Sequence, residues 1–146
     1  KEDSDGNLCT IDFGVISTPA ELSIELRLKE IYEKLQKLIE LHRPQNGAVE
    51  KLFFKQNVTN AISVGQARGV VLLALANSGV KVFEYAPTEV KAAISGYGGA
   101  EKQQVQAMVK AILQLDEIPR PDDSADALAI AICHIHSSAV FYRSNG

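Results

Sequence analysis

The feature that most constrains this chain is an apolar helical stretch set between two short strand-like runs. Val58 to Asn77 reads as a helix that Ser78-Gly79 ends. Before it, Ala48 to Phe54 (AVEKLFF) is rich in branched and aromatic residues, and after it Val80 to Tyr85 (VKVFEY) is too. A strand, a helix and a strand in that order suggest a right-handed parallel crossover, the building unit of an α/β domain.

The flanks add to this frame. Leu8 to Ser17 (LCTIDFGVIS), opened by the turn-like Asp5-Gly6-Asn7, reads as a further strand. From Glu21 to His42 the period changes. Leu28, Ile31, Tyr32, Leu35, Leu38 and Ile39 recur at three and four residues, which predicts an amphipathic helix broken by Arg43-Pro44-Gln45-Asn46-Gly47. Pro87 starts a short helix ending before Gly96-Tyr97-Gly98-Gly99, and Glu101 to Leu115 is helical again. Ile118-Pro119-Arg120-Pro121 is a rigid connector to a last helix. Three strands are few for an open sheet under so much helix.

A length of 146 residues predicts one domain, residues 1–146, with a single core. The apolar fraction of 46% and charged fraction of 23% are those of an ordinary globular chain. Val70 to Ala76 is too short to span a bilayer, and no leader-like pattern opens the chain. Cys9 and Cys133 lack metal-like spacing and sit among apolar neighbours, so reduced thiols and a cytoplasmic location are expected. A net charge of −3 argues against a generally basic nucleic-acid binder; a phosphate partner would need a local basic patch.

The last helix opens with three carboxylates, Asp122, Asp123 and Asp126, ahead of small and branched apolar residues. Like charges this close need a positive partner. Asp122 is placed as the N-cap, and Asp123 and Asp126, three apart, share a face. Two readings stand. In the first, all three serve the helix start, where the macrodipole favours anions. In the second, they bind a cation. Ala127, Ala129 and Ala131 let the helix lie close to a sheet. Glu50, between Val49 and Leu52 in a strand, is costly unless paired or metal-bound. A strand glutamate with two helix-start aspartates suggests hard oxygen ligands for Mg²⁺ or Mn²⁺. His134 and His136 cannot share one face, and both read as packing histidines rather than ligands.

With these residues in hand, the sequence resembles the RuvC family of bacterial Holliday-junction resolvases over nearly its whole length. The similar stretches are residues 48–54 (AVEKLFF), 65–70 (GQARGV), 85–91 (YAPTEVK), 98–105 (GGAEKQQV) and 122–131 (DDSADALAIA). The resemblance implies an RNase H-like fold with a mixed central sheet flanked by helices, and a homodimer. It also implies Mg²⁺-dependent symmetric nicking of four-way DNA junctions to 5′-phosphate and 3′-hydroxyl ends, in partnership with RuvA and RuvB. Carried over by position, Glu50, Asp123 and Asp126 look like catalytic, metal-binding acids, serving about two ions per site. Phe53 matches an aromatic that stacks on unpaired bases. Lys91 and Lys102 match lysines near the scissile phosphate.

One part of the family pattern is missing. Its members begin with a strand whose Gly-Ile-Asp-Pro-Gly supplies a first acid, and no such stretch stands before Lys1. Asp12, in Ile11-Asp12-Phe13-Gly14, falls in a later strand of that pattern and reads as an ordinary strand residue. We therefore expect the natural chain to carry a further strand upstream, and expect the 146 residues alone to cleave weakly or not at all. On that expectation the alternative function is a junction-binding module without cleavage. A third reading is an α/β enzyme of uncharged substrates whose acids only cap helices.

The remaining signals are weaker. Lys51, Lys55, Lys91, Lys102 and Arg68 are individually ordinary surface cations, and together they would form a phosphate track. Gly96-Tyr97-Gly98-Gly99 lacks nucleotide-loop spacing and reads as a turn. Ala61, Gly65 and Gly69 recur every four residues; close approach to the sheet or across a dimer axis would offset the helix cost of about 1 kcal/mol per glycine.

Overall fold

The computed structural model describes residues 1–51 and 58–144, without the side chains of 58–60 and 139–144. Its elements run α1 (Ile24–His42), β1 (Asn46–Glu50), α2 (Val58–Asn77), β2 (Lys81–Tyr85), α3 (Pro87–Ser95), α4 (Lys102–Ile112) and α5 (Asp122–Ser144). Among the described residues the sheet is the parallel pair β1–β2, with α2 as the crossover that parallel strands require. The chain divides into two compact units, Ile16–Phe83 on one hand and Lys1–Val15 with Glu84–Gly146 on the other. Among the described residues no helix is long and apolar enough to cross a membrane.

In the unit Ile16–Phe83, the apolar stripe of α1 meets α2 and the sheet. Ile39, Ala74, Leu75 and Val80 are buried together, with Tyr32, Leu35, Val49, Val71 and Val82 packed around them. The Tyr32 hydroxyl accepts from Gln36 Nε2 at 2.9 Å and from Asn77 Nδ2 at 2.8 Å, tying α1 to the end of α2. Arg43 closes α1 with a left-handed φ of 46°, and its N–H donates to Ile39 O at 2.8 Å. A Cβ added at Gly65 or Gly69 would meet no described atom within 4 Å. These glycines are therefore not explained by close approach to the sheet.

In the other unit, α3, α4 and α5 enclose Val90, Ile94, Ala100, Val105, Val109, Ala129, Ile132 and Cys133. Proline at the first position of α3 and the Glu89 carboxylate accepting from Ala86 N–H set its start, while Gly96, at φ 76°, ends it. The expected strand Leu8 to Ser17 is not formed. Leu8 bridges Glu2 antiparallel and Cys9 N–H donates to Lys1 O at 2.8 Å, but residues 10–19 join no ladder. A strand is defined by its pairing, and β-branched composition alone does not supply a neighbour.

Candidate functional site

The start of α5 carries three carboxylates, Asp122, Asp123 and Asp126. Ser124 and Ala125 are 0% and 1% exposed, pressing one side of the first turn inward. Asp123 and Asp126 stand exposed on the opposite side, as their spacing predicts. Asp122 is not the expected cap. It lies within the helix, where Ser124 N–H instead donates to Pro121 O at 2.9 Å, and its carboxylate is engaged by cations. Arg120 Nη1 donates to Asp122 Oδ1 at 2.7 Å, and Lys102 Nζ lies 3.3 Å from Asp122 Oδ2. The same ammonium lies 3.4 Å from Asp126 Oδ2. Lys102, the first residue of α4, therefore supplies the positive charge that the acidic cluster needs. Its hydrogen bond to Asp122 holds the Asp122 carboxyl below the usual carboxylate value and raises the Lys102 ammonium above the usual lysine value.

Glu50 ends β1 and is exposed. The cost of burying a carboxylate, which drew attention to it, does not apply at this position. Arg68 Nε, on α2, donates to the Glu50 carbonyl at 3.4 Å, so the arginine braces the strand end. Glu50 belongs to one unit, and Asp123 and Asp126 to the other. Phe53 and Lys55 lie outside the described residues. Lys91 is half-buried on α3.

The hard carboxylate oxygens of Asp123 and Asp126, both exposed, suit Mg²⁺, which is often bound by one or two carboxylates plus substrate phosphate. An ammonium already stands against Asp126 as a resident cation. Among the described residues, however, no group of three or more His, Cys, Asp or Glu side chains lies together as an ion site.

His134 follows its reading as a packing histidine and His136 does not. His134 is buried, and its Nδ1 shares a 2.8 Å hydrogen bond with the Tyr85 hydroxyl at the end of β2; His136 is exposed. Burial lowers the His134 pKa and raises those of Tyr85 and Cys133. Cys9 and Cys133 are both thiols. Sequence reasoning did not foresee the Lys102 bridge. Its signal was the single lysine opening α4, and pairing it with α5 requires the tertiary fold.

A family model described as crossover junction endodeoxyribonuclease RuvC matches residues 2–134. The crossover junction endodeoxyribonuclease RuvC of Roseiflexus sp. (strain RS-1) is 53% identical over 142 residues, 97% of this chain and 84% of that protein. That of Thermotoga petrophila is 56% identical over 133 residues, covering 91% and 81%. The solved structure of Thermus thermophilus RuvC matches with a TM-score of 0.86 at 35% identity, over 96% of this chain and 84% of that one. The same protein solved in complex with a Holliday junction substrate matches with a TM-score of 0.80 over 87% of this chain. These likenesses bear out the resemblance and the α/β, RNase H-like fold. This chain belongs to the RuvC family of crossover junction endodeoxyribonucleases.

Proposed function

We propose that this crossover junction endodeoxyribonuclease nicks four-way DNA junctions symmetrically, as a homodimer, with Glu50, Asp123 and Asp126 as ligands for Mg²⁺, for which Mn²⁺ can substitute. The observation that carries the ligand assignment is the exposed pair Asp123 and Asp126 on one face at the start of α5. When bound, about two divalent ions held by these carboxylates would supply positive charge beside the attacking water and the leaving oxygen of a hydrolysis that leaves 5′-phosphate and 3′-hydroxyl ends. The chain's own residues position the DNA. Lys91, Lys102 and Arg68 offer cationic groups to phosphates, and Phe53 offers a ring to an unpaired base, a contact worth about 1–3 kcal/mol. A twofold dimer matches a junction with two equivalent strands to cut. RuvA and RuvB are the partners that the family resemblance implies.

Binding and nicking of a synthetic four-way junction test this reading. Expected are preference for the junction over linear duplex, affinity falling steeply with salt, and a dependence on Mg²⁺ of whatever nicking occurs, which for the 146 residues alone is expected to be weak or nil. Glu50→Gln should abolish nicking and retain junction affinity; full activity in that variant would remove Glu50 from the ligand set. Selective binding without nicking at any Mg²⁺ concentration would favour the alternative of a junction-binding module without cleavage.

A further inference from the structure

We propose that Lys102 is an exchangeable counter-ion: Asp122 stations its ammonium beside Asp126, and it moves to a DNA phosphate when Asp126 takes a divalent cation. The proposal rests on Asp126 being a metal ligand. Its geometric basis is a triangle within one unit, with Lys102 Nζ 3.3 Å from Asp122 Oδ2 and 3.4 Å from Asp126 Oδ2. Arg120 Nη1, 2.7 Å from Asp122 Oδ1, leaves the other Asp122 oxygen directed to the lysine. The bridge therefore spans the first residue of α4 and the first turn of α5.

An ammonium and a divalent ion on the same carboxylate repel each other, so the two compete for Asp126. The Lys102 side chain is 53% exposed, and its flexible stem lets the charge swing toward solvent without disturbing the core. A phosphate arriving beside the site draws the ammonium away and lowers the cost of ion binding. By linkage, the ion likewise releases Lys102 for DNA, so each ligand favours the other. Asp122 is in this sense a positioning residue, holding the lysine where the exchange is made.

The test is Mn²⁺ affinity of the full chain without DNA, read by electron paramagnetic resonance or calorimetry. Exposed ion pairs of this kind correspond to about 1.5- to 5-fold in an equilibrium constant, so Lys102→Gln should bind Mn²⁺ tighter by about 2- to 5-fold. Lys102→Arg should keep the wild-type value. Lys110→Gln, with the same charge change about 12 Å along α4, should also keep it. With saturating four-way junction present, the advantage of Lys102→Gln should vanish. A simple α4–α5 clamp would instead lower thermal stability and leave Mn²⁺ affinity unchanged. Wild-type or weaker affinity in Lys102→Gln, an equal gain in Lys110→Gln, or a gain that persists unchanged on DNA would each overturn the exchange. Asp126→Asn separates the two proposals: it should lose Mn²⁺ binding, and if it binds as wild type, the ligand reading fails instead.

Discussion

Ala125→Leu tests whether burial of the α5 start sets the position of the acidic pair. Ala125 is 1% exposed and lies between Asp123 and Asp126 in sequence but on the inward side of the turn, beside Ser124 at 0%. Leucine adds a branched three-carbon extension where no solvent-accessible space exists, and overpacking of this kind costs about 1–3 kcal/mol. That corresponds to a fall of about 3–10 °C in Tm for a chain of this size. The helix must also shift outward, carrying both carboxylates with it, and a displacement of about 1 Å costs about 100-fold in rate at such sites. Ala125→Gly is the control, since it costs about 1 kcal/mol through helix propensity and adds no volume. Thermal melts by circular dichroism, with Mn²⁺ affinity measured well below Tm, separate the two effects. Ala125→Leu should lose ion affinity beyond Ala125→Gly. A leucine variant with wild-type Tm and wild-type Mn²⁺ affinity would refute the claim that packing fixes the pair.

Further outcomes follow from the packing. His134 is held by burial below its ordinary value of 6.5, so the unfolded chain takes up a proton first as pH falls. The stability this contributes is complete above about pH 6.5 and is lost as pH drops through the folded value. Urea melts at pH 7.5 and 5.5 should show that loss, and His134→Gln should shrink it; an unchanged slope would exclude His134 as its source. Gly47→Ala would set a Cβ 2.9 Å from Leu75 Cδ1 and 3.1 Å from Cδ2, with Leu75 only 6% exposed. A loss of about 1 kcal/mol is expected in a denaturant melt, because the leucine end must give way. Gly96→Ala, at φ 76°, should cost a similar amount, about 1–2 kcal/mol, by forcing a side chain into the left-handed region; an unchanged midpoint would contradict that.

The helices were legible because their signals are local. The expected bounds of α2, Val58 to Asn77, are those observed, and Pro87 and Gly96 frame α3 as proline and glycine do. The stretch Leu8 to Ser17 was not legible in the same way, since its composition favours a strand but the ladder reaches only to Leu8. Asp123 and Asp126 could be placed on one face by spacing alone. Asp122 could not be distinguished from a cap, because its partners arrive from the connector and from α4. Glu50 attracted notice through the cost of burial, and it is exposed. The motif resemblance is what keeps it in the proposed ligand set.

The most direct test of the ligand set is Mn²⁺-induced broadening in the ¹H–¹⁵N spectrum of the ¹⁵N-labelled protein. Substoichiometric Mn²⁺ should broaden the amides of Glu50, Asp123 and Asp126 together, and Mg²⁺ should reverse the effect. Broadening at α5 that leaves the end of β1 sharp, or broadening centred elsewhere, would contradict convergence of the three acids on one ion site.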